Sequence, residues 1–111
     1  MSAITTHILD TARGRPAAGV PLLLEVRSGG TAWTAVSKAV SDSDGRALLL
    51  ETVPGRGTYR LTFDTGAYFA SVNVVGFYPQ VQVVFEITDA GSHHHVPLLL
   101  SPFGYSTYRG S

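Results

Sequence analysis

Four histidines are the side chains of this chain best suited to proton chemistry near neutral pH. His7 lies near the start of the sequence, and His93, His94 and His95 follow one another much later. The ordinary pKa of imidazole is about 6.5, so the ring can take up and release a proton near neutrality. If the late histidines lie on a strand, His93 and His95 share one face and His94 takes the other. His7 meets them if its own strand neighbours theirs.

Three interpretations of these histidines remain open at this point. A His-x-His pair with a third histidine can bind zinc, although no nearby Asp or Glu offers support to the ligands. The same side chains can instead perform acid–base catalysis without a metal. The third interpretation is that they have no chemical role.

Two arginines and the last residue of the sequence are further candidates. Arg46 directly follows the Asp44-Gly45 turn, and Arg109 lies close to Ser111. A guanidinium presents paired donors in a fixed fork and can hold an anion or a carbonyl oxygen. The position in the sequence alone favours an ordinary surface residue for each arginine. Ser111 adds a hydroxyl and a carboxylate, although chain ends are usually frayed.

Short alternating or apolar runs, separated by turns rich in Gly, Pro, Asp and Ser, must position these side chains. Tyr59, Leu61 and Phe63 alternate with polar neighbours, as in a half-buried strand. Pro97 indicates an edge position or a bulge in its strand. Strands are predicted over residues 3–10, 20–27, 31–40, 46–53, 59–64, 81–87, 92–101 and 105–108, and a short helix that Thr65 begins over 65–73. This spacing is typical of an all-β sandwich.

Composition excludes several classes of protein. The 111 residues suit one domain, and a hydrophobic content of 44% with 14% charged residues suits a packed core. The formal net charge is zero, so nucleic-acid binding is not expected. No stretch approaches the ~20 apolar residues of a membrane span, and no secretion signal is recognised. The absence of cysteine agrees with a cytoplasmic location.

Three stretches of the sequence resemble the 5-hydroxyisourate hydrolases, which are the transthyretin-related proteins. They are ITTHILDT followed by GRPAAGVP, GTYRLTFDTGAYF followed by FYP, and HHHVPLLLSPFGYSTYRGS. The Tyr-Arg-Gly-Ser sequence at residues 108–111 is the most specific element, because the transthyretin hormone carriers lack it. The similarity covers nearly the whole chain.

This resemblance implies a transthyretin-like β-sandwich of two four-stranded sheets with one short helix, as a single domain over residues 1–111. It also implies a homotetramer, a dimer of dimers, with active sites in the channel between dimers. The implied reaction is hydrolysis of 5-hydroxyisourate, a small molecule of urate degradation, to 2-oxo-4-hydroxy-4-carboxy-5-ureidoimidazoline. The resemblance implies neither a cofactor nor a metal. A zinc hydrolase and a small-ligand carrier are the alternatives.

The family's site residues fall on matching positions of this sequence. The resemblance implies that the catalytic residues are His7, Arg46, His95 and Ser111. It implies that His7, Arg46, His93, Tyr108, Arg109 and Gly110 bind the substrate. One departure is His94, where the family usually has Tyr. Because His94 is expected on the opposite strand face, little effect on the site is expected.

Overall fold

Nine strands and one short helix occur in residues 2–27 and 29–111, the part of the chain that this computed structural model describes. The strands are β1 (Ile4–Asp10), β2 (Arg15–Pro16), β3 (Pro21–Arg27), β4 (Thr34–Val40), β5 (Arg46–Leu50), β6 (Gly57–Phe63), β7 (Val81–Ile87), β8 (His94–Ser101) and β9 (Gly104–Thr107), and the helix α1 (Thr65–Ser71) lies between β6 and β7.

The strands form two sheets that enclose one apolar core. The first sheet has the order β5-β1-β8-β9, and the short β2 continues the β5 edge along the last residues of β1. The second sheet has the order β4-β3-β6-β7. The predicted all-β sandwich with one short helix is confirmed, and β2 makes the first sheet five-stranded where four strands were expected. Among the described residues, no helix is long and apolar enough to cross a membrane.

The core is formed by alternate residues of strands from both sheets. The buried side chains include Ile4, Ile8, Leu24, Leu61, Phe63, Leu98 and Leu100. On β1 the burial alternates strictly, so the side chains of Thr5 and His7 lie on the outer face. The apolar pattern of β1 therefore determines which of its polar residues face outward.

The helix is shorter than predicted and begins differently. Asp64, and not Thr65, caps α1, because the Asp64 carboxylate accepts a hydrogen bond from the backbone N–H of Ala67 at 3.0 Å. Thr65 is buried and donates its hydroxyl proton to the Tyr78 carbonyl at 2.8 Å. The helix ends at Ser71, and Asn73 adopts a positive φ of 56°.

Pro97 lies in a strand that has neighbours on both sides, contrary to the edge position or bulge that was predicted. Strand β8 pairs with β1 in parallel and with β9 in antiparallel orientation. The β9 pairing ends at Leu98 and Thr107, and it resumes only at the isolated bridge between His95 and Gly110. The missing N–H of Pro97 therefore falls in this interruption, where no ladder hydrogen bond is lost.

Candidate active site

The outer face of the first sheet brings the candidate residues of β1, β5 and β8 together. In the parallel β1–β8 ladder, Thr5 lies opposite His95. In the antiparallel β1–β5 ladder, His7 lies opposite Arg46. Directly opposed residues of an antiparallel pair have Cβ atoms about 5 Å apart. Since β1 and β8 are neighbouring strands, His7 lies beside the strand of the late histidines, as the prediction required.

A threonine hydroxyl joins the two outward-facing histidines. Thr5 Oγ1 lies 2.9 Å from His93 Nε2 and 2.8 Å from His95 Nδ1. The two imidazole rings have centroids 6.4 Å apart. His93 is exposed and His95 is half-buried. Each ring is thus oriented by a hydrogen bond to the same oxygen.

A tight turn positions Arg46 at the start of β5. The Asp42 carboxylate accepts hydrogen bonds from the backbone N–H of Asp44 at 2.9 Å and of Arg46 at 3.0 Å. Gly45 has a positive φ of 75°, and a Cβ at this position would collide with the carbonyl oxygen of Ile8. Gly45 also accepts a hydrogen bond from the Ile8 N–H at 2.8 Å. The turn is therefore attached to β1 one residue away from His7.

These side chains line one open cleft of about 470 Å³. The cleft is bordered by Thr5, Thr6, His7, Asp42, Arg46, Ala47, Leu48, His93, His95 and Ser111. All four residues of the expected catalytic set, together with His93, therefore lie around the same space.

Residues 108–111 run beside β8 and reach the cleft. The Gly110 N–H donates a hydrogen bond to the His95 carbonyl at 2.9 Å. A Cβ built on Gly110 would lie only 2.5 Å from His95 Cδ2. Glycine thus permits this segment to pack directly on the His95 ring and leads Ser111 into the cleft.

Tyr108 and Arg109 lie elsewhere in this single chain. They border a second cavity of about 230 Å³ between β7 and β8, together with Val83, His94 and His95. The Tyr108 side chain is 58% exposed. The structure therefore brings Ser111 to the cleft of His7 and Arg46, whereas Tyr108 and Arg109 border only the second cavity, which His95 also lines.

Burial and positive charge determine the electrostatics of His95. Burial of the ring is the largest cause of a pKa that lies below the ordinary value of 6.5. The nearby charges of His93, His7 and Arg46 lower this pKa further. His95 is therefore neutral at neutral pH, which is the form that can accept a proton.

His94 lies on the opposite face of β8, as the strand alternation predicts. It is buried, and its Nδ1 donates a hydrogen bond to the Ser92 carbonyl at 3.0 Å. Burial is the largest cause of its lowered pKa, followed by the positive charge of Arg109. His94 is thus a neutral residue of the sandwich interior.

Sequence reasoning assigned no role to Thr5 and Asp42, which are polar residues of the cleft. Thr5 precedes His7 by two positions, and the strand period places it on the same face. Asp42 precedes Arg46 by four positions in a Ser-Asp-Ser-Asp-Gly turn, where an Asp side chain is expected to accept backbone hydrogen bonds. Neither was assigned a role in the site.

The described part of the chain contains no set of side chains arranged as metal ligands. Within residues 2–27 and 29–111, no three His, Cys, Asp or Glu side chains converge closely enough to hold a metal ion. His93 Nε2 and His95 Nδ1 face the Thr5 hydroxyl, and a nitrogen that makes this bond is not free to bind a metal.

Comparison with known proteins gives the family and one named activity. Residues 4–110 match the HIUase/Transthyretin family. A protein of Salmonella typhimurium named 5-hydroxyisourate hydrolase is 46% identical over 110 residues, which cover 97% of this chain and 80% of that protein.

Solved structures of two differently named proteins share the fold. The 5-hydroxyisourate hydrolase of Klebsiella pneumoniae has a TM-score of 0.86 at 37% identity, covering 99% of this chain and 100% of its own. Sea bream transthyretin in complex with thyroxine has a TM-score of 0.89 at 34% identity, covering 96% of this chain and 93% of its own. The backbone fold is common to a hydrolase and to a thyroxine-binding protein, so the residues of the site must distinguish them.

Proposed function

This chain belongs to the HIUase/Transthyretin family, and we propose that it hydrolyses 5-hydroxyisourate in urate degradation. The reaction opens a cyclic amide to give 2-oxo-4-hydroxy-4-carboxy-5-ureidoimidazoline. The observation that carries the proposal is the convergence of His7, Arg46, His95 and Ser111 on one cleft. These residues come from three strands and the 108–111 segment.

The proposed mechanism uses a histidine-activated water. His7 and His95 position the water, and a neutral imidazole removes its proton as the oxygen attacks the amide carbon. The lowered pKa of His95 supports this role, because the ring stays unprotonated at neutral pH. A positioned general base contributes about 10²–10⁴-fold to the rate.

Arg46 is assigned to the oxygen that becomes negative during attack. Its guanidinium presents donors in a fixed fork, and a preorganised cation stabilises charge that develops in the transition state. Its place opposite His7 in the β1–β5 ladder supports this assignment, because the guanidinium and an imidazole that positions the water then approach the substrate from adjacent positions. Ser111 is assigned to proton transfer at the edge of the cleft.

The remaining parts of the proposal concern assembly and location. We propose that one domain over residues 1–111 assembles as a homotetramer in the cytoplasm. Large exposed apolar side chains support assembly, among them Phe77, Val84, Phe103 and Tyr108. In the tetramer, Tyr108 and Arg109 are assigned to substrate binding. Light scattering on the purified chain measures the assembly, and a monomer at micromolar concentration would contradict this part.

To test the reaction, 5-hydroxyisourate is generated in the assay from urate by a urate oxidase, and its decay is followed by ultraviolet absorbance. The chain is expected to accelerate the decay with and without a chelator, and His95→Gln is expected to reduce the acceleration about 100-fold or more. Acceleration that the chelator abolishes would replace the metal-free mechanism with a zinc site. Decay at the uncatalysed rate would refute hydrolysis and favour a small-ligand carrier.

His94→Gln is the matched control for His95→Gln. The same substitution is made one residue away, on the opposite face of β8. If both variants lost activity equally, the loss would reflect damage to β8, and the assignment of His95 would be wrong.

A further inference from the structure

The Thr5 hydroxyl contacts the two histidine rings in a way that restricts their protons. Its distances to His93 Nε2 and His95 Nδ1 are both within hydrogen-bond range, at 2.9 and 2.8 Å. The backbone of Thr5 is held in the middle of the β1–β8 ladder. Its branched side chain has few rotamers in a strand, so the hydroxyl is held between the rings.

Counting protons shows that the two rings are coupled. A hydroxyl has one proton to donate, and a neutral imidazole has one protonated and one unprotonated nitrogen. With both rings neutral, Thr5 therefore donates to at most one ring and accepts a hydrogen bond from at least one. If Thr5 donates to His93, then His95 carries its proton on Nδ1 and its Nε2 is free to act as a base. If Thr5 donates to His95, the proton of His95 must be on Nε2.

We propose that Thr5 is a positioning residue that joins His93 and His95 into one proton relay, an inference that rests on the proposed hydrolysis and makes His95 the base. As the water attacks, its proton goes to Nε2 of His95. The Nδ1 proton of His95 passes to Thr5 Oγ1, and the hydroxyl proton of Thr5 passes to Nε2 of His93. His95 is neutral again, and His93 carries the positive charge.

The relay then runs in the opposite direction as the ring opens. Nε2 of His95 gives its proton to the leaving nitrogen while the C–N bond breaks. The Nε2 proton of His93 returns to Thr5, and the hydroxyl proton of Thr5 returns to Nδ1 of His95. The sum is one water added across the amide bond, with all three side chains in their starting state.

His93 and His95 differ in solvent exposure, and this difference matches their roles at the two ends of the relay. His93 is exposed, so water can solvate the positive charge that it receives. His95 is half-buried among positively charged neighbours, where a lasting positive charge is disfavoured. The relay thus moves charge from the ring that holds it poorly to the ring that holds it well.

Substitution of Thr5 by Val and by Ser separates the hydroxyl from the shape of the side chain. Thr5→Val keeps the branched shape and removes the hydroxyl, so kcat is expected to fall at least about tenfold with KM within about threefold. Thr5→Ser keeps the hydroxyl and is expected to restore kcat to within about threefold. Thr62→Val, on the outer face of the second sheet, is the control for a Thr-to-Val change in a strand.

A second measurement needs no substrate. Nitrogen NMR shifts of the His95 ring report which nitrogen is protonated. The wild-type chain is expected to carry the proton on Nδ1, and Thr5→Val is expected to move it toward Nε2. If the wild-type chain fails to hydrolyse the substrate, the proposed function fails, while these shifts still test whether Thr5 pairs the rings.

A double variant tests whether Thr5 acts through His93. His93→Ala is expected to lower kcat on its own, but to cause no further loss when added to Thr5→Val, because both changes interrupt the same relay. Multiplying losses would overturn the proposal. So would a Thr5→Val variant that keeps both the wild-type kcat and the wild-type protonation of His95.

Discussion

Gly110→Ala tests the contact between residues 108–111 and the outer face of β8, which carries His95. The Cβ that the substitution introduces would lie 2.5 Å from His95 Cδ2, and 3.2 Å from both His95 Cγ and Pro97 Cγ. Non-bonded carbons are ordinarily at least about 3.5 Å apart. The backbone of Gly110 does not have a positive φ, so alanine is not strained by its dihedral angles. The collision with the ring is therefore the effect that the substitution isolates.

The magnitude follows from these distances. Relief of the collision requires the His95 ring and the 108–111 segment to separate by about 1 Å. A misplacement of this size can cost about 10²-fold in rate. The loss to folding is much smaller, because the bridge from Gly110 to His95 is one hydrogen bond, worth about 1 kcal/mol. We therefore expect kcat/KM to fall about 100-fold and the melting temperature to fall by no more than about 5 °C.

The assay is the ultraviolet decay of 5-hydroxyisourate, with thermal unfolding measured on the same samples. Gly104→Ala is the matched control, since a Cβ at Gly104 meets only Ser101 Oγ, at 3.7 Å. This variant is expected to keep wild-type activity. A Gly110→Ala variant within about threefold of wild type would show that the position of His95 does not depend on this contact.

Three further predictions concern the turn, the core and the response to pH. Asp42→Ala is expected to lower kcat/KM about tenfold by loosening the turn that holds Arg46, whereas Asp42→Asn, whose amide oxygen still accepts the backbone bonds, should stay within about threefold. Tyr68→Phe removes the 2.6 Å hydrogen bond to the buried Asp10 carboxylate, and urea titration should show a loss of about 2 kcal/mol; an unchanged midpoint would contradict this. The folded state lowers the pKa of His94, so the unfolded chain binds the proton first, and the free energy of unfolding should fall as the pH drops below about 6.5. His94→Phe should reduce that decline, and an identical decline would assign it to other groups.

Most of the strands could be predicted because their side chains alternate between two environments. The eight predicted strands are all present, with ends that differ by up to three residues. The strand β2 was missed because two residues in a loop rich in Gly and Pro carry no periodicity. The cap of α1 was assigned one residue too late, because Asp64 and Thr65 are both residues that favour a cap and only the backbone geometry distinguishes them.

The site was predictable to the extent that it depends on strand alternation. The period of two places His93 and His95 on one face and His94 on the other, and the structure agrees. The roles of Arg46, Ser111 and the other site residues came from the resemblance to a family, because an arginine after a turn has no distinguishing pattern of its own. These roles remain predictions until the variants are measured.

The sequence by itself determined the fold class, the faces of the strands and the residue types available for proton chemistry, because these depend on local periodicity and composition. Only the tertiary structure decided which faces meet. The parallel register of β1 and β8 joins Thr5 to histidines 88 and 90 positions away. Such a pairing depends on packing between distant strands, which no local pattern encodes. The same packing decides that Gly110 lies against His95 while Tyr108 and Arg109 border a different cavity.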